Sequence, residues 1–327
     1  MSILTRVGVV IIGRNEGERL SNCLKSILET ANQLVYVDSG STDDSVKVAR
    51  DLGAEVVSLD MSIPFTAARA RNEGFAHLKV IYPHIEFVQF VDGDCEVVST
   101  WLSSAVKFLD EQIEVAAVCG RRRERFPNKT VYNKLCDMEW NTPVGEAKAC
   151  GGDVLMRVIA FEKAQGYRNS LIAGEEPELC VRFRAAGWKI WRLNEEMTLH
   201  DAAMTRFSQW WKRTMRAGYA FAEGAYLHGA PPERHWVGEA RRGLIWGLAL
   251  PLITIVLFMI NMKWALVFLL IYPAQIVRLA LTAQTKNGAA WIPAFFLVLG
   301  KFPEMIGQLK FFQRRLSGKQ GRLIEYK

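Results

Sequence analysis

The sequence predicts an α/β fold, a Rossmann-like parallel sheet with flanking helices, joined to a C-terminal α-helical membrane segment. Two patterns lead to this prediction. Apolar runs of strand length alternate with segments of helical period through about the first 120 residues, as is typical of βαβ units. Beyond residue 242, long uncharged stretches replace that alternation. A chain of 327 residues that is 50% apolar and 23% charged can bury a core, so a disordered protein is excluded.

The first part of the chain is predicted to contain five core strands separated by helices. The helix after the first strand has leucine and isoleucine at helical spacing on one face, and the next begins in a cluster of short polar capping residues and ends at Gly53. Residues 121–235 are less regular and are expected to form the acceptor half of the same domain, 1–235. The predicted strands are 7–12, 34–37, 55–59, 86–91 and 115–119, with a later helix over 177–186 and short strands at 188–193 and 197–200.

Residues 236–327 are predicted to be associated with a membrane. The uncharged stretch 243–260 would be about 27 Å long as a helix, close to the roughly 30 Å hydrocarbon core of a bilayer. A second apolar helix is expected over 264–283. The third apolar stretch, 289–300, is too short for a full span, so an interfacial helix over 289–312 is expected before a basic tail. The alternative, two buried helices of a soluble core, is disfavoured because neither helix has a polar face.

Charge and cysteine usage indicate an anionic partner and a cytosolic first domain. A net charge of +7 and a pI of about 9.1 suit a phosphate, a nucleic acid or a membrane surface. Nucleic acid is disfavoured because no recognition motif is present. Arg241, Arg242 and the basic tail flank the apolar stretches, which favours the cytoplasmic membrane with the large domain on the cytosolic side. The cysteines form no C-x-x-C pair and are expected to be reduced thiols.

Three carboxylates follow predicted strands at the point where each strand ends. Asp38 closes one strand before a glycine-containing turn, and Asp92 and Asp94 follow another, separated by one glycine. Open α/β sheets bind ligands at the carboxyl ends of their strands, so Asp38 is a candidate contact for a base or ribose. Carboxylate oxygens suit Mg²⁺ or Mn²⁺ bridged to phosphates, so Asp92 and Asp94 are candidates for a metal-diphosphate site. Helix capping or a plain turn is the alternative in each case.

Two helical segments add a cation and a candidate base. Arg71, in the segment ARARNEG, can reach a pyrophosphate, although a surface arginine is the alternative. Glu175 and Glu176 precede a helix predicted to begin at Pro177. Neighbouring carboxylates repel each other, which raises one pKa towards the range of a general base. The same acids can instead complement the helix dipole.

These clusters, in this order, resemble the family 2 glycosyltransferases over about residues 5–225. The resemblance implies the GT-A fold, a Rossmann-like mixed sheet with flanking helices. The resemblance implies that the chain transfers a sugar from a nucleotide-diphosphate donor with inversion at the anomeric carbon. The matching segments are Arg14-Asn15-Glu16 after the first strand, VDSGSTDDS, ARARNEG, VDGD, Gly151-Gly152-Asp153 and GEEPEL with Arg182.

The resemblance also implies roles for individual residues. Glu176 is the expected catalytic base, with Glu175 as the alternative, because this chain has a Glu-Glu pair where a Glu-Asp pair is commoner. The expected ion, Mg²⁺ or Mn²⁺, would be held by Asp94 and Asp92 with His200, for which a structural histidine is the alternative. The implied donor-binding residues are Asp38, Arg71, Asp92, Asp43, Arg14 and Glu16.

Contacts to the acceptor or to phosphate are expected from further residues. The segment QWWKR at 209–213 only partly resembles the Q-x-x-R-W signature of processive synthases, which disfavours a polymerising enzyme. Basic residues there and in the run 121–125 are candidates for binding a phosphate, and a solvated surface is the alternative for each. The candidates are Gly152, Asp153, Arg182, Arg213, Arg216, Trp211, Arg121 and Arg123.

The predicted function is transfer of a sugar from a nucleotide-diphosphate sugar, with a UDP-sugar as the expected donor, to a lipid-linked saccharide at a membrane. A polyprenyl-phosphate monosaccharide synthase, which has the same chemistry and a lipid phosphate as acceptor, is the alternative. A non-catalytic membrane-anchored binding protein is a more remote one, because it would have little need to combine Asp38, Asp92, Asp94 and Glu176.

Overall fold

The computed structural model describes residues 3–283 and 290–318, which belong to two compact units, Met1–Thr205 and Arg206–Lys327. The sequence placed the domain boundary at 235, whereas this division comes earlier. The reason is that helix Phe207–His228 packs closely on helix Lys301–Leu316 within the second unit: a Cβ added to Gly307 would lie 2.0 Å from the carbonyl oxygen of Met215. Helix Phe207–His228 carries polar residues, so hydropathy alone did not assign it to the same unit as the apolar helices.

The first unit alternates strands and helices. Its strands are β1 Val7–Gly13, β2 Gln33–Asp38, β3 Glu55–Ser58, β4 Phe87–Asp92, β5 Cys95–Val97, β6 Val115–Glu124, β7 Gly145–Glu146, β8 Val154–Arg157 and β9 Lys189–His200. Its helices are α1 Ile3–Arg6, α2 Glu18–Leu28, α3 Ser45–Asp51, α4 Ala67–Ile81, α5 Trp101–Glu111, α6 Val131–Glu139, α7 Val158–Lys163 and α8 Glu175–Ala185.

The strands form one mixed sheet in the order β3-β2-β1-β4-β8-β6-β9-β5, with β7 paired to β9. The four strands from β3 to β4 are parallel, β8 runs antiparallel to both of its neighbours, and β6 is parallel to β9. This confirms the predicted mixed sheet with flanking helices. The two short strands predicted at 188–193 and 197–200 are one strand, β9, which shifts register against β6 where the pattern broke.

The core explains why the first strands read as continuous apolar runs. Val9, Val10 and Ile11 of β1 are completely buried, so this part of the sheet is covered on both faces. Helix α4 lies close to the sheet at Gly74, where an added Cβ would come within 2.5 Å of Val10 Cγ1. The start of α4 is fixed by Thr66, whose hydroxyl accepts a hydrogen bond from the Arg69 amide. Arg71, one turn before Gly74, is thereby directed towards the sheet edge.

The second unit is helical. Among its described residues, three helices are long and apolar enough to cross a membrane, by length and composition: Val237–Ile260, Met262–Thr282 and Trp291–Leu316. The first two overlap the predicted helices, and the first contains a π-helical turn. The third corresponds to the interfacial helix predicted over 289–312 and continues to Leu316, with Lys301 and Glu304 paired at 2.6 Å within it. Residue 289 and the tail beyond 318 lie outside the described residues. The α-helices of the described part of this unit, with the three long helices divided at their irregular turns, are α9 Phe207–His228, α10 Val237–Leu244, α11 Leu250–Ile260, α12 Met262–Leu269, α13 Ile271–Thr282, α14 Trp291–Leu299 and α15 Lys301–Leu316.

Candidate active site

The acidic residues at the strand ends meet at one edge of the sheet. Parallel pairing sets Asp38 of β2 opposite Gly13 of β1, and Asp92 of β4 opposite Ile12. Asp38 and Asp92 therefore lie on either side of β1, at the carboxyl ends of the two strands that flank it. This edge is where open α/β sheets bind their ligands.

Asp38 is buried in the turn that follows β2. Its Oδ2 accepts hydrogen bonds from the backbone amides of Gly40 and Ser41, each at 3.0 Å. The hydroxyl of Tyr36 donates to Oδ1 at 3.2 Å. Gly40 has φ +83°, which a side chain would strain, and this conformation lets the turn close around the carboxylate. The orientation of Asp38 is thus fixed before any ligand binds.

The loop after β1 is tied to this turn by further hydrogen bonds. Asn15 Oδ1 accepts from the Thr42 amide at 2.7 Å, and Asp43 accepts from the amides of Gly17 at 3.2 Å and Ser45 at 3.0 Å. The hydrogen bonds from Ser45 are the largest cause of a lowered pKa at Asp43. Asp43, which the resemblance implies to be a donor-binding residue, therefore connects the loop after β1 to the turn after β2. In the same loop Glu16 pairs with Arg19 at 2.8 Å, and Arg14 is exposed.

Arg71 lies at the centre of the site and contacts three carboxylates. Its Nη2 lies 2.8 Å from Asp92 Oδ1, and its Nη1 lies 2.9 Å from Glu175 Oε1 and 2.8 Å from Glu176 Oε1. The guanidinium also stacks over the ring of Tyr167 at 5.7 Å. Residues separated by up to 105 positions in the chain are brought together here by β4, α4 and the start of α8.

Gly152 packs directly against this cluster. A Cβ at this position would lie 2.6 Å from Arg71 Nη2, 3.0 Å from Asp92 Oδ2 and 3.2 Å from Glu176 Oε1. Only hydrogen at this position leaves the three groups where they are. Gly152, predicted as an acceptor contact, thus forms part of the wall of the site.

Glu176 has the electrostatics of a base that works near neutral pH. Burial raises its pKa to about 7, and the neighbouring Glu175 adds to the rise, while Arg71 opposes it. Its side chain is 13% exposed, against 5% for Glu175. Glu176 is therefore the better placed of the two acids to meet a substrate hydroxyl.

Arg122 is a site residue that lies in the predicted basic run 121–125 but was not singled out there. Its Nε donates to Asp153 Oδ2 at 2.8 Å and its Nη2 to Asp92 Oδ2 at 3.3 Å. Asp153 also accepts from the backbone amide of Asp92 at 3.2 Å and from the hydroxyl of Thr198 at 2.7 Å. Burial works against ionisation of Asp92, but Arg71 and Arg122 together hold the pKa of Asp92 below its usual value. Asp153 and Arg122 thus fix the turn that carries Asp92.

A second group of potential ligands lies beside Asp92. His200 Nε2 is 3.1 Å from Asp94 Oδ2, and both residues are buried. One ligand atom each from Asp94, Cys95 and His200 lies within 4.8 Å of the others, a spacing that fits a single divalent ion. The indole of Trp140 packs on the His200 ring with centroids 4.8 Å apart. Asp92 belongs to a different group, with Cys95 and Asp153, and its oxygens contact arginines.

Comparison with known proteins shows which family the chain belongs to. The model of the family described as Glycosyl transferase family 2 matches residues 8–175, just over half of the chain. The chain belongs to glycosyl transferase family 2. The matched region includes the strand-end acids, Arg71, Gly152 and the first glutamate of α8.

Relatives of this family 2 member resemble it over limited lengths. A TPR repeat-containing protein of Synechococcus elongatus is 27% identical over 140 residues, which is 43% of this chain and 33% of that protein. An uncharacterized glycosyltransferase of Rickettsia conorii is 38% identical over 56 residues, 17% of this chain and 20% of that one. The chain therefore spans a third or less of the length of these relatives.

Solved structures show the same GT-A fold. The mannosyltransferase PcManGT from Pyrobaculum calidifontis, in complex with GDP-Man and Mn²⁺, is 19% identical, with a TM-score of 0.64 over 94% of this chain and 87% of that one. Glucosyl-3-phosphoglycerate synthase from Mycobacterium tuberculosis is 18% identical, with a TM-score of 0.50 over 69% of this chain and 80% of that one.

Other predicted phosphate contacts in the family 2 domain have protein partners. Arg121 donates to Asp137 at 3.1 Å, Arg123 pairs with Glu196 at 3.4 Å, and Arg182 forms a bidentate pair with Glu178, at 2.7 and 3.1 Å. Trp211, Arg213 and Arg216 lie on α9 in the second unit. Successive side chains of a strand point to opposite faces, so Arg122 contacts the site acids while Arg121 and Arg123 contact other elements. The register of β6 shifts on both sides of Arg121, however, so the sequence alone does not show which arginine of the run faces the site.

Proposed function

We propose that this family 2 glycosyltransferase transfers a sugar, with inversion, from a nucleotide-diphosphate sugar to a lipid-linked saccharide at a membrane. The observation that carries the proposal is Glu176, whose pKa is raised to about 7 beside Arg71, Asp92 and the open backbone of Gly152. A base of this pKa is matched to proton transfer at neutral pH. The adjoining edge of the sheet supplies fixed carboxylates for a donor.

In this proposal the donor lies along the carboxyl edge of the sheet. The fixed carboxylate of Asp38 accepts hydrogen bonds from the nucleoside base, and Asp92 accepts one from the ribose. Arg71 contacts the donor phosphates, where its guanidinium can pair with anionic oxygens. Asp94 and His200 would hold Mg²⁺ or Mn²⁺, which when bound neutralises charge on the departing nucleoside diphosphate.

Glu176 takes the proton from the acceptor hydroxyl. The hydroxyl oxygen forms a bond to the anomeric carbon as the bond from that carbon to the diphosphate oxygen breaks, and the nucleoside diphosphate leaves with the electron pair. One displacement of this kind inverts the anomeric carbon and needs one base and no protein nucleophile. During this step Arg71 holds Glu176 in position, because Arg71 Nη1 lies 2.8 Å from Glu176 Oε1.

The second unit supports a membrane acceptor. In the part of this unit that the structure describes, three helices are long and apolar enough to span a bilayer, and Arg241 and Arg242 lie in the first of them, ahead of its uncharged part. By the positive-inside tendency these arginines favour the cytosolic face of the cytoplasmic membrane. A transferase held at that surface meets acceptors that are carried on lipids.

The test uses the full chain purified in detergent, with a nucleotide-sugar donor, a divalent ion and a lipid extract. Glu176→Gln is expected to lower transfer by about 10²–10⁴-fold, the usual contribution of a general base, while donor binding persists. Glu162→Gln, a change at an exposed position on α7, is the matched control and should leave transfer unchanged. Retained turnover in Glu176→Gln would refute the assignment. A monosaccharide phospholipid formed from polyprenyl phosphate alone would make the lipid phosphate the acceptor.

A further inference from the structure

Cys95 places a thiol beside the two residues expected to hold the metal. It follows Asp94 directly and is completely buried, and its Sγ lies 3.8 Å from Asp94 Oδ1. Strand β5 pairs antiparallel with β9 so that Cys95 is directly opposite His200. Directly opposed residues of two strands carry their side chains on the same face, a few ångströms apart. The backbone register itself therefore brings the thiol to the imidazole.

Two overlapping groups of potential ligands share this thiol, and their electrostatics differ. In the group of Asp92, Cys95 and Asp153, both carboxylates contact Arg122, at 3.3 and 2.7 Å. Asp92 also contacts Arg71 at 2.8 Å. A divalent cation placed there would lie against two guanidinium groups. The group of Asp94, Cys95 and His200 is consequently the one suited to an ion.

We propose that Cys95 Sγ is a third protein ligand of the metal, and that the site therefore selects a transition-metal ion such as Mn²⁺, Co²⁺ or Zn²⁺ over Mg²⁺. Magnesium prefers oxygen ligands in near-ideal octahedral geometry, whereas thiolate and imidazole ligands favour first-row transition ions. The thiol loses its proton to solvent when the ion binds.

Three protein ligands also leave coordination positions for substrate, as catalytic metal sites require. The inference that Cys95 binds the metal rests on the proposed function only for the identity of that substrate, the donor diphosphate. The carboxylate and the imidazole belong to the expected metal site; the new element is the sulfur ligand and the ion selectivity that follows from it.

The test is a Co²⁺ titration of the purified full chain under argon, followed by absorption spectroscopy. The wild-type protein should show a near-ultraviolet thiolate-to-cobalt charge-transfer band together with visible d–d bands. Cys95→Ser should lose the charge-transfer band, and its preference for Mn²⁺ over Mg²⁺, measured by competition, should fall by about 10- to 100-fold, the scale reported for changes around metal ligands. Cys136→Ser, at a buried cysteine of α6 outside both groups, is the matched control and should keep both properties.

Several results would overturn the proposal. These are d–d bands without a charge-transfer band in the wild type, a charge-transfer band that survives in Cys95→Ser, or no cobalt binding at all. Because the wild-type spectrum decides the first and last of these, the test does not depend on how well the variant folds. A charge-transfer band in a protein that releases no nucleoside diphosphate from any donor would leave the metal ligand standing and refute the proposed function instead.

Discussion

Replacing Gly152 by alanine tests the geometry of the active site with the smallest possible change. The added Cβ would lie 2.6 Å from Arg71 Nη2, whereas ordinary van der Waals contact begins at 3.4 Å, so one of the groups must move by about 0.8 Å. Arginine ends are usually flexible, but three carboxylates hold this one between 2.8 and 2.9 Å. The displacement therefore passes to Asp92 and Glu176.

Misplacement of catalytic groups by about 1 Å can cost about 10²-fold in rate, or roughly 2.7 kcal/mol of transition-state stabilisation. We expect this loss in kcat/KM for Gly152→Ala, measured as nucleoside diphosphate release by the full chain in detergent. Gly151→Ala is the matched control, because no described atom lies within 4 Å of a Cβ placed there. Both variants should melt close to the wild type. Full activity in Gly152→Ala would refute the reasoning, as would equal losses in both variants.

Three further predictions concern charge. The rate of transfer should increase with pH through about 7, the pKa of Glu176, because only the ionised carboxylate accepts a proton. A rate that stays constant from about one pH unit below that value to one unit above it would contradict the role of Glu176 as the base. Arg122→Met should lower both Tm and kcat/KM, because the buried carboxylate of Asp153 and the partly buried one of Asp92 lose their shared cation. Arg123→Met, in a half-exposed pair, should change stability by no more than about 0.5 kcal/mol, and equal melting temperatures for the two variants would count against this difference. EDTA should stop transfer and added Mn²⁺ restore it, so turnover in excess chelator would exclude the metal role of Asp94 and His200.

The sequence predicted those parts of the site that depend on local pattern. Apolar runs ending in Asp38 and Asp92 indicated parallel strands, and parallel strands necessarily bring their carboxyl ends to one edge. The glutamates of α8 were recognisable because acids gather at a helix start. The resemblance to family 2 then named the fold, which the family match and the sheet topology confirm.

The rest depended on contacts between distant segments. Arg122 meets Asp153, 31 residues away, and the register of β6 shifts on both sides of Arg121, so the phase of the alternation could not be read across the arginine run. Strand β8 is four residues long and antiparallel between parallel strands, and a run this short carries little pattern of its own. The pairing of α9 with α15 depends on a glycine that permits close approach, which hydropathy does not register.

The most direct test of the central claim is a donor screen on the full chain purified in detergent. Nucleoside diphosphate release would be followed from UDP-, GDP- and dTDP-sugars with Mn²⁺ or Mg²⁺, with and without a lipid extract. The proposed lipid-directed transfer predicts release that requires both a metal and lipid, from one donor class. No release and no binding with any donor would contradict it, and would leave a family 2 fold without transferase activity.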